Sequence, residues 1–238
     1  MCGRYGLFTP PSELESRFNV TVDVSLEPTY NAAPGESLPI IANDAPGTLR
    51  TAEWGLIPSW ADDPNEHRHI NARGETLFER SSFREATERR RCLVLADGFY
   101  EWGGPRGERR PHFFRQSNGE PFAMAGLWER FESASTQVEL GSFGPDGPDA
   151  ATDVKPIETF TIVTTKANAT VESVHDRMPM VLPRDREREW LTGDQETVTD
   201  LLEPVPPDEL RVDPVSHAVN DPANDGPELV TPVGESPP

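Results

Sequence analysis

Lysine is almost missing from this chain. Only Lys155 and Lys166 stand among its 22 basic residues, against 41 acidic ones, giving a formal net charge of −19 over 238 residues. So acidic a chain is poorly suited to loose electrostatic attachment to nucleic acid, although a local groove lined by arginine stays open to it. Cysteine is equally scarce. Cys2 and Cys92 are the two thiols, no CxxC spacing exists, and neither a structural disulfide nor a zinc site is expected. His67 and His69 form an H-x-H pair with no third ligand nearby, so no metal or other cofactor is expected. No apolar run reaches the roughly 18 residues of a membrane span and no signal-peptide pattern opens the chain, so a cytosolic protein is expected. Internal repeats are absent too.

The charge that is present is uneven. Residues 132–158 hold six acids and one lysine, and residues 203–238 hold eight acids and one arginine. These stretches carry −5 and −7, so −12 of the −19. The rest is mildly acidic, and nearly all its positive charge is arginine. Such a composition suits a high-salt cytoplasm, where carboxylates keep a surface hydrated; it is also that of an ordinary acidic protein, and composition does not separate the two. In molar salt the Debye length is about 3 Å, so a DNA binder there would depend on close contacts or a covalent bond.

Hydrophobic patterning gives many short strands and few short helices. Strands are expected at 4–8, 38–42, 49–57, 92–96, 99–102, 112–116, 121–128 and 159–165. Ser12-Glu13-Leu14-Glu15 and Ser82-Phe83-Arg84-Glu85 read as capping boxes, the first opening a helix to Phe18 and the second a helix ending in Arg89-Arg90-Arg91. Asp97-Gly98 is a turn signal, and Asp185 and Asp194 read as N-caps of two further helices. Cys92 reads as a buried strand residue. The expected fold is α+β, a mainly antiparallel barrel-like sheet with short peripheral helices. We expect one domain over 1–220, an acidic surface insertion at about 133–156, and an acidic Pro/Gly-rich tail at 221–238, poorly ordered at its end.

Four polar groups stand where local propensity does not require them. Removal of the initiator Met would leave Cys2 with an α-amine and a thiol on adjacent carbons. Their ordinary pKa values, about 7.7–8.0 and about 8.5, leave both partly nucleophilic near neutrality. The amine can form a Schiff base with an aldehyde, and the thiol can close a five-membered thiazolidine on the same carbon. Asn71 could hold a hydroxyl or oxyanion, or simply be a turn residue. Glu101, between Tyr100 and Trp102, lies on a solvent face with Phe99 or is buried; burial would raise its pKa and fit it for acid–base work. His175 titrates in the range that proton transfer to a departing water needs, though a lone His is more often structural. Arg4, Arg73 and Arg177 are candidate phosphate forks, or surface ion-pair partners.

The chain resembles a known family at six places in order: Met1-Cys2-Gly3-Arg4, Tyr30-Asn31-Ala32-Ala33-Pro34-Gly35, Trp54-Gly55-Leu56-Ile57-Pro58, Asn71-Ala72-Arg73-Gly74-Glu75-Thr76, Ala96-Asp97-Gly98-Phe99-Tyr100-Glu101-Trp102, and His175-Asp176-Arg177-Met178-Pro179. This is the pattern of the SRAP (SOS response-associated peptidase-like) family, whose members shield abasic sites in DNA, and it runs from residue 2 to about 220. The resemblance implies binding of single-stranded DNA at abasic sites and a thiazolidine crosslink between Cys2 and the ring-opened deoxyribose, with AP-lyase activity as a linked outcome. It implies that Asn71 orients the sugar or the Cys2 terminus, and that Glu101 and His175 move protons. It gives Arg4, Arg73 and Arg177 to flanking phosphates, and Pro34, Trp54 and Trp60 to stacking on or wedging between bases. The peptidase label then reads as removal of the chain's own first residue.

Three features depart from the pattern: the long acidic segment at 133–156, Ala61 where a second aromatic can follow Trp60, and the overall acidity. Two other functions stay in view. A thiol peptidase would use Cys2 with His175 and Glu101 and act on peptides without DNA. A noncatalytic single-strand binder would keep its affinity without Cys2. A monomer is expected, because net charge of one sign opposes self-association.

Overall fold

The structure, a computed structural model, describes residues 2–63, 65, 67–105, 107–132 and 156–234. The acidic insertion expected at about 133–156 lies almost wholly outside the described residues, as do the last four residues of the tail. In chain order the elements are β1 (Tyr5–Leu7), α1 (Pro11–Phe18), β2 (Thr21–Val22), β3 (Thr29–Ala32), β4 (Ser37–Ala42), β5 (Thr48–Trp54), β6 (Asn71–Arg73), α2 (Arg84–Arg89), β7 (Arg91–Ala96), β8 (Gly98–Gly103), β9 (Arg110–Gln116), β10 (Phe122–Phe131), β11 (Ile157–Lys166), α3 (Ala169–Glu172), β12 (Arg177–Pro179), α4 (Glu187–Thr192), α5 (Gln195–Asp200) and β13 (Leu210–Pro214).

Five of these strands close a barrel. β4 pairs with β5 and β7, β7 with β10, and β10 with β11, all antiparallel; β11 then meets β5 in parallel, with Phe160 opposite Trp54. Closure removes the free edges on which strands of different chains pair. β6 and β12 both attach to β11 beyond the barrel. A second, wholly antiparallel sheet, ordered β13-β9-β8-β1-β3, packs alongside. This is the α+β, mainly antiparallel barrel-like fold that the sequence leads one to expect.

β7 shows why an unbroken apolar run forms a strand here. All six of its residues are buried, and Trp190 of α4 lies behind it, its indole N–H donating to the Cys92 carbonyl at 3.0 Å. With both faces covered, no alternation with polar residues is needed. Cys92 is fully buried, as expected.

The helix caps differ from expectation. α1 opens at Pro11 with Pro10 as its N-cap, so Ser12 lies inside the helix and its side chain caps nothing; proline's fixed φ at the first helical position sets the start. α2 is preceded by Phe83, again without a side-chain cap. Asp185 sits within a 3-10 turn, Arg184–Arg186, and does not cap α4. Asp194 does cap α5, accepting from the Thr197 N–H at 3.0 Å. Arg91 is not a helix-terminal surface cation. It is buried on β7 and donates to the carbonyls of Thr87, Trp190 and Gly193, tying the C-termini of α2 and α4 together.

Asp97-Gly98 makes no hairpin. β7 and β8 belong to different sheets, and the dipeptide is where the chain crosses between them. The Asp97 carboxylate accepts from the Phe8 and Thr9 amides and the Thr9 hydroxyl. A Cβ on Gly98 would stand 2.2 Å from the Phe113 ring and 2.6 Å from the Phe114 carbonyl, so glycine is required by close approach.

The C-terminal residues 215–230 cover the outer face of the second sheet. Val215, Val219 and Leu229 bury Tyr100 and Phe113. Asn31, on β3, donates to the carbonyls of Val219, Asp221 and Asn224 at 3.3, 3.0 and 2.9 Å, and the Asp225 carboxylate accepts from the Asn31 amide at 3.0 Å. Residues 221–234 therefore rest on the body of the fold.

Candidate functional site

The site forms where the chain's first residues lie between the barrel and the second sheet. β1 pairs antiparallel with β8, Tyr5 opposite Phe99, and the Tyr100 N–H donates to the Arg4 carbonyl at 3.0 Å. Continuing that register carries Gly3 and Cys2 alongside Glu101 and Trp102. Phe99 and Glu101 do share a face of β8, but it is the inter-sheet face: Phe99 belongs to the main core, while Tyr100 faces the C-terminal cover. Glu101 is consequently 3% exposed. Burial pushes its carboxyl above the usual carboxylate range, and the nearby His175 opposes that shift.

Cys2 is fully buried, and its Sγ lies 3.9 Å from the Arg4 carbonyl. Desolvation, with the Glu101 charge adding to it, pushes the thiol well above its ordinary range. Burial thus works against ionisation of this sulfur. The Asn71 amide, at the start of β6, donates to the Cys2 carbonyl at 2.8 Å. Its other amide atom, Oδ1, is buried with no hydrogen-bond partner among the described residues. His175 lies in the turn between α3 and β12. The Arg177 N–H reaches its Nδ1 at 3.0 Å, and the Arg177 carbonyl and Asp176 carboxylate lie 3.1 Å from the same nitrogen. Cys2, Asn71, Glu101 and His175, distant in sequence, thus meet around the N-terminus.

The six candidate DNA contacts fare differently. Pro34 is exposed in a turn whose Gly35 takes φ +93°. Trp60 is 51% exposed. Arg73 is exposed and has no ion-pair partner among the described residues. Trp54 is a correction: its ring is buried, 5.3 Å from Tyr5 and 6.2 Å from Phe160, with its N–H donated to the Ile70 carbonyl at 2.9 Å, so no base can stack on it. Arg177 is a second correction. Its guanidinium is held by both Glu75 carboxylate oxygens and by the carbonyl and hydroxyl of Thr164, so it positions the His175 turn and presents no free phosphate fork. Arg4 is half-committed, donating through Nη1 to Asn31 Oδ1 at 3.0 Å and Val219 O at 3.4 Å.

Sequence reasoning missed several neighbours. Tyr5 is fully buried, and its hydroxyl has no hydrogen-bond partner among the described residues. Asn31 organises the Arg4 contact. His69, Arg73 and Arg80 line a pocket with Asn71, Ser82 and Phe83. Asn31 stood in a quoted motif, but nothing in its spacing announced that it would hold an arginine 27 residues upstream. Among the described residues no group of three metal-ligating side chains occurs, and no helix is long and apolar enough to cross a membrane.

The family model described as SOS response associated peptidase (SRAP) matches residues 1–222. The chain belongs to this family. Among SRAP relatives, the abasic site processing protein YoqW of Bacillus subtilis is 36% identical over 97% of this chain and 99% of its own length. The abasic site processing protein YedK of Escherichia coli is 30% identical over 98% of this chain and 100% of its own. The chicken (Gallus gallus) protein HMCES, named likewise, is 30% identical over 87% of this chain, which spans 66% of that longer protein. A crystal structure of a protein from Bacteroides thetaiotaomicron shares the fold, with a TM-score of 0.83 over 98% of this chain and 100% of that one at 24% identity. The match to the SRAP model ends at residue 222, so the packed stretch 223–234 lies beyond it.

Proposed function

We propose that this SRAP protein processes abasic sites in single-stranded DNA by forming a covalent thiazolidine crosslink through Cys2, once Met1 has been removed. The observation that carries the reading is the burial of Cys2 beside Glu101 with its carbonyl held by Asn71. The names of the relatives support the substrate.

The chemistry follows from the protonation states. The Cys2 amine attacks C1′ of the ring-opened sugar, forming a C–N bond and a carbinolamine. The neutral carboxyl of Glu101 gives its proton to the departing hydroxyl, water leaves, and a Schiff base results. Glu101, now a carboxylate, takes the Cys2 thiol proton as sulfur attacks the same carbon. The C–S bond closes the ring and the Schiff-base nitrogen becomes the ring amine, so the whole sequence releases one water. A protonated Glu101 and a protonated thiol are the forms this order requires, and both raised pKa values favour them. His175 exchanges protons at the sugar's ring oxygen and Asn71 orients the Cys2 terminus. Arg73 and Arg4 meet flanking phosphates, while Pro34 and Trp60 meet bases. AP-lyase activity is the branch in which the Schiff base loses a proton from C2′ and the 3′ phosphate departs before sulfur closes the ring.

A peptidase acting on other proteins would need a thiolate, and burial of Cys2 works against one. Peptidase chemistry is therefore assigned to the chain's own first bond. The protein is taken to act as a cytosolic monomer. The test is a denaturing gel of Met1-free protein with a single-stranded oligonucleotide carrying one abasic site, run in molar salt. A heat-stable band that needs both the lesion and Cys2 is expected. Its absence with Met1 confirmed removed would overturn the reading.

A further inference from the structure

Three large hydrophobic side chains stand out as exposed among the described residues, and Trp60 is the aromatic one. It does not stand alone. The His67 ring lies 5.1 Å from it, tilted by 59°. We propose that Trp60 and His67 together form a two-ring stacking step that takes a nucleobase beside the abasic site. This rests on the function proposed above and names a base-binding residue, His67, to which that function gave no role.

The loop carrying both rings is fixed at its base. Leu56 and His69 exchange both backbone hydrogen bonds, at 3.0 and 2.9 Å, so the chain is pinned on either side of Trp60 and His67. Beside Trp60, Ala61 turns inward and is buried with Ile57 and Phe131, and its N–H donates to the Pro58 carbonyl at 3.0 Å. The indole is therefore held outward on an anchored turn. Arg68, the adjacent cation, is ion-paired to Glu53, leaving the imidazole as the ring that faces Trp60. Aromatic pairs at this separation favour tilted geometry, and two rings set at an angle give a base one face to stack on and one edge to close against.

Position and charge identify the occupant. His69, at the loop's closing point, lines the pocket shared with Asn71, Arg73 and Arg80, and Asn71 is bonded to Cys2. Neither Arg73 nor Arg80, both exposed, has an ion-pair partner among the described residues. On a chain of net charge −19, two free guanidinium groups between an aromatic step and a reactive terminus match a strand that alternates phosphates with bases. Stacking of this kind is sequence-tolerant, because every base has a π-face.

The test measures noncovalent affinity for a single-stranded oligonucleotide carrying a tetrahydrofuran abasic analogue, which has no aldehyde and cannot crosslink. Fluorescence anisotropy would compare wild type with His67→Ala, His67→Phe, Trp60→Ala and the Trp60→Ala/His67→Ala pair, each checked for an unchanged melting temperature. His67→Ala is expected to weaken binding about five- to tenfold, a typical cost of one lost stacking ring. His67→Phe should stay within about twofold of wild type, and the double variant should bind hardly more weakly than Trp60→Ala, because the rings act as one unit. Unchanged affinity in His67→Ala, or equal loss with phenylalanine and alanine, would overturn the step. Wild-type crosslinking to a true abasic site, run alongside, separates the failures. Crosslinking with an indifferent His67 sinks only this inference; no crosslinking and no binding sinks both.

Discussion

At the scale of single residues, the site consists of ordinary groups in environments that change their chemistry. Glu101 is the clearest case. Burial raises its pKa in the folded chain, so the native state holds a proton that the unfolded chain has released at the same pH. Between the ordinary carboxylate pKa and the raised one, N therefore binds more protons than U, and stability falls as pH rises through that window. Two outcomes follow for Glu101→Gln. Its melting temperature at neutral pH should equal or exceed that of wild type, with a flatter pH dependence. Its crosslinking rate should fall by about 10²–10⁴, the usual worth of a general acid–base group, and lose the decline that wild type shows as Glu101 ionises. Melting curves and single-turnover gels over a pH series check both. Asn71→Ala removes the bond to the Cys2 carbonyl, and we expect a rate loss of about tenfold with little change in stability, one hydrogen bond being worth about 1 kcal/mol. The same scale shows what the sequence could not disclose. Trp54 and Trp60 look alike in a sequence, six residues apart in one aromatic, turn-rich stretch. Only the barrel decides that one stacks on Phe160 inside while the other stands in solvent. Arg177 and Arg73 diverge for the same reason, because Glu75 and Thr164 reach one of them.

At the scale of elements, the strands were legible because apolar runs and alternation follow directly from the pleat. Most expected strands stand within a residue or two of those formed, though the run from Leu49 stops at Trp54, where Gly55 takes φ +137°. The first capping box misled because Pro11 already starts the helix one residue before Ser12, and the second because the helix starts at Arg84, past Ser82, with Phe83 before it. The turn signal at Asp97-Gly98 marks where the chain turns, and only the structure shows that the two strands it separates lie in different sheets. That crossing gives a sharp prediction. Gly98→Ala would drive a methyl into the Phe113 ring and the Phe114 carbonyl, and we expect a loss of at least about 1–3 kcal/mol, the usual cost of overpacking, read from urea denaturation. The C-terminal cover gives another. Leu229 is fully buried against Tyr100 and Phe113, so Leu229→Ala should cost about 2–5 kcal/mol, although it lies beyond the stretch that defines the family. A variant as stable as wild type would show that residues 223–234 add nothing to the fold.

At the scale of the whole molecule, charge and topology pull in different directions. A net charge of −19 repels itself and repels DNA, while the fold sets Arg73 and Arg80 in one pocket with Asn71, which is bonded to the Cys2 carbonyl. Screening should ease the first effect. We expect the melting temperature to rise between about 0.1 M and 1 M salt, where the Debye length contracts from about 10 Å to about 3 Å, and thermal denaturation at the two concentrations checks this. A covalent bond makes long-range attraction dispensable, which reconciles an acidic protein with a DNA substrate. The fate of the Cys2 sulfur therefore decides whether the crosslink is a thiazolidine. The most direct measurement is the intact mass of the heat-stable adduct between Met1-free protein and an abasic oligonucleotide, with a thiol titration of the same denatured sample. The expected result is one oligonucleotide per chain, a mass equal to the two components less one water, and one titratable thiol left, that of Cys92. No adduct, or an adduct in which both thiols still titrate, would contradict it.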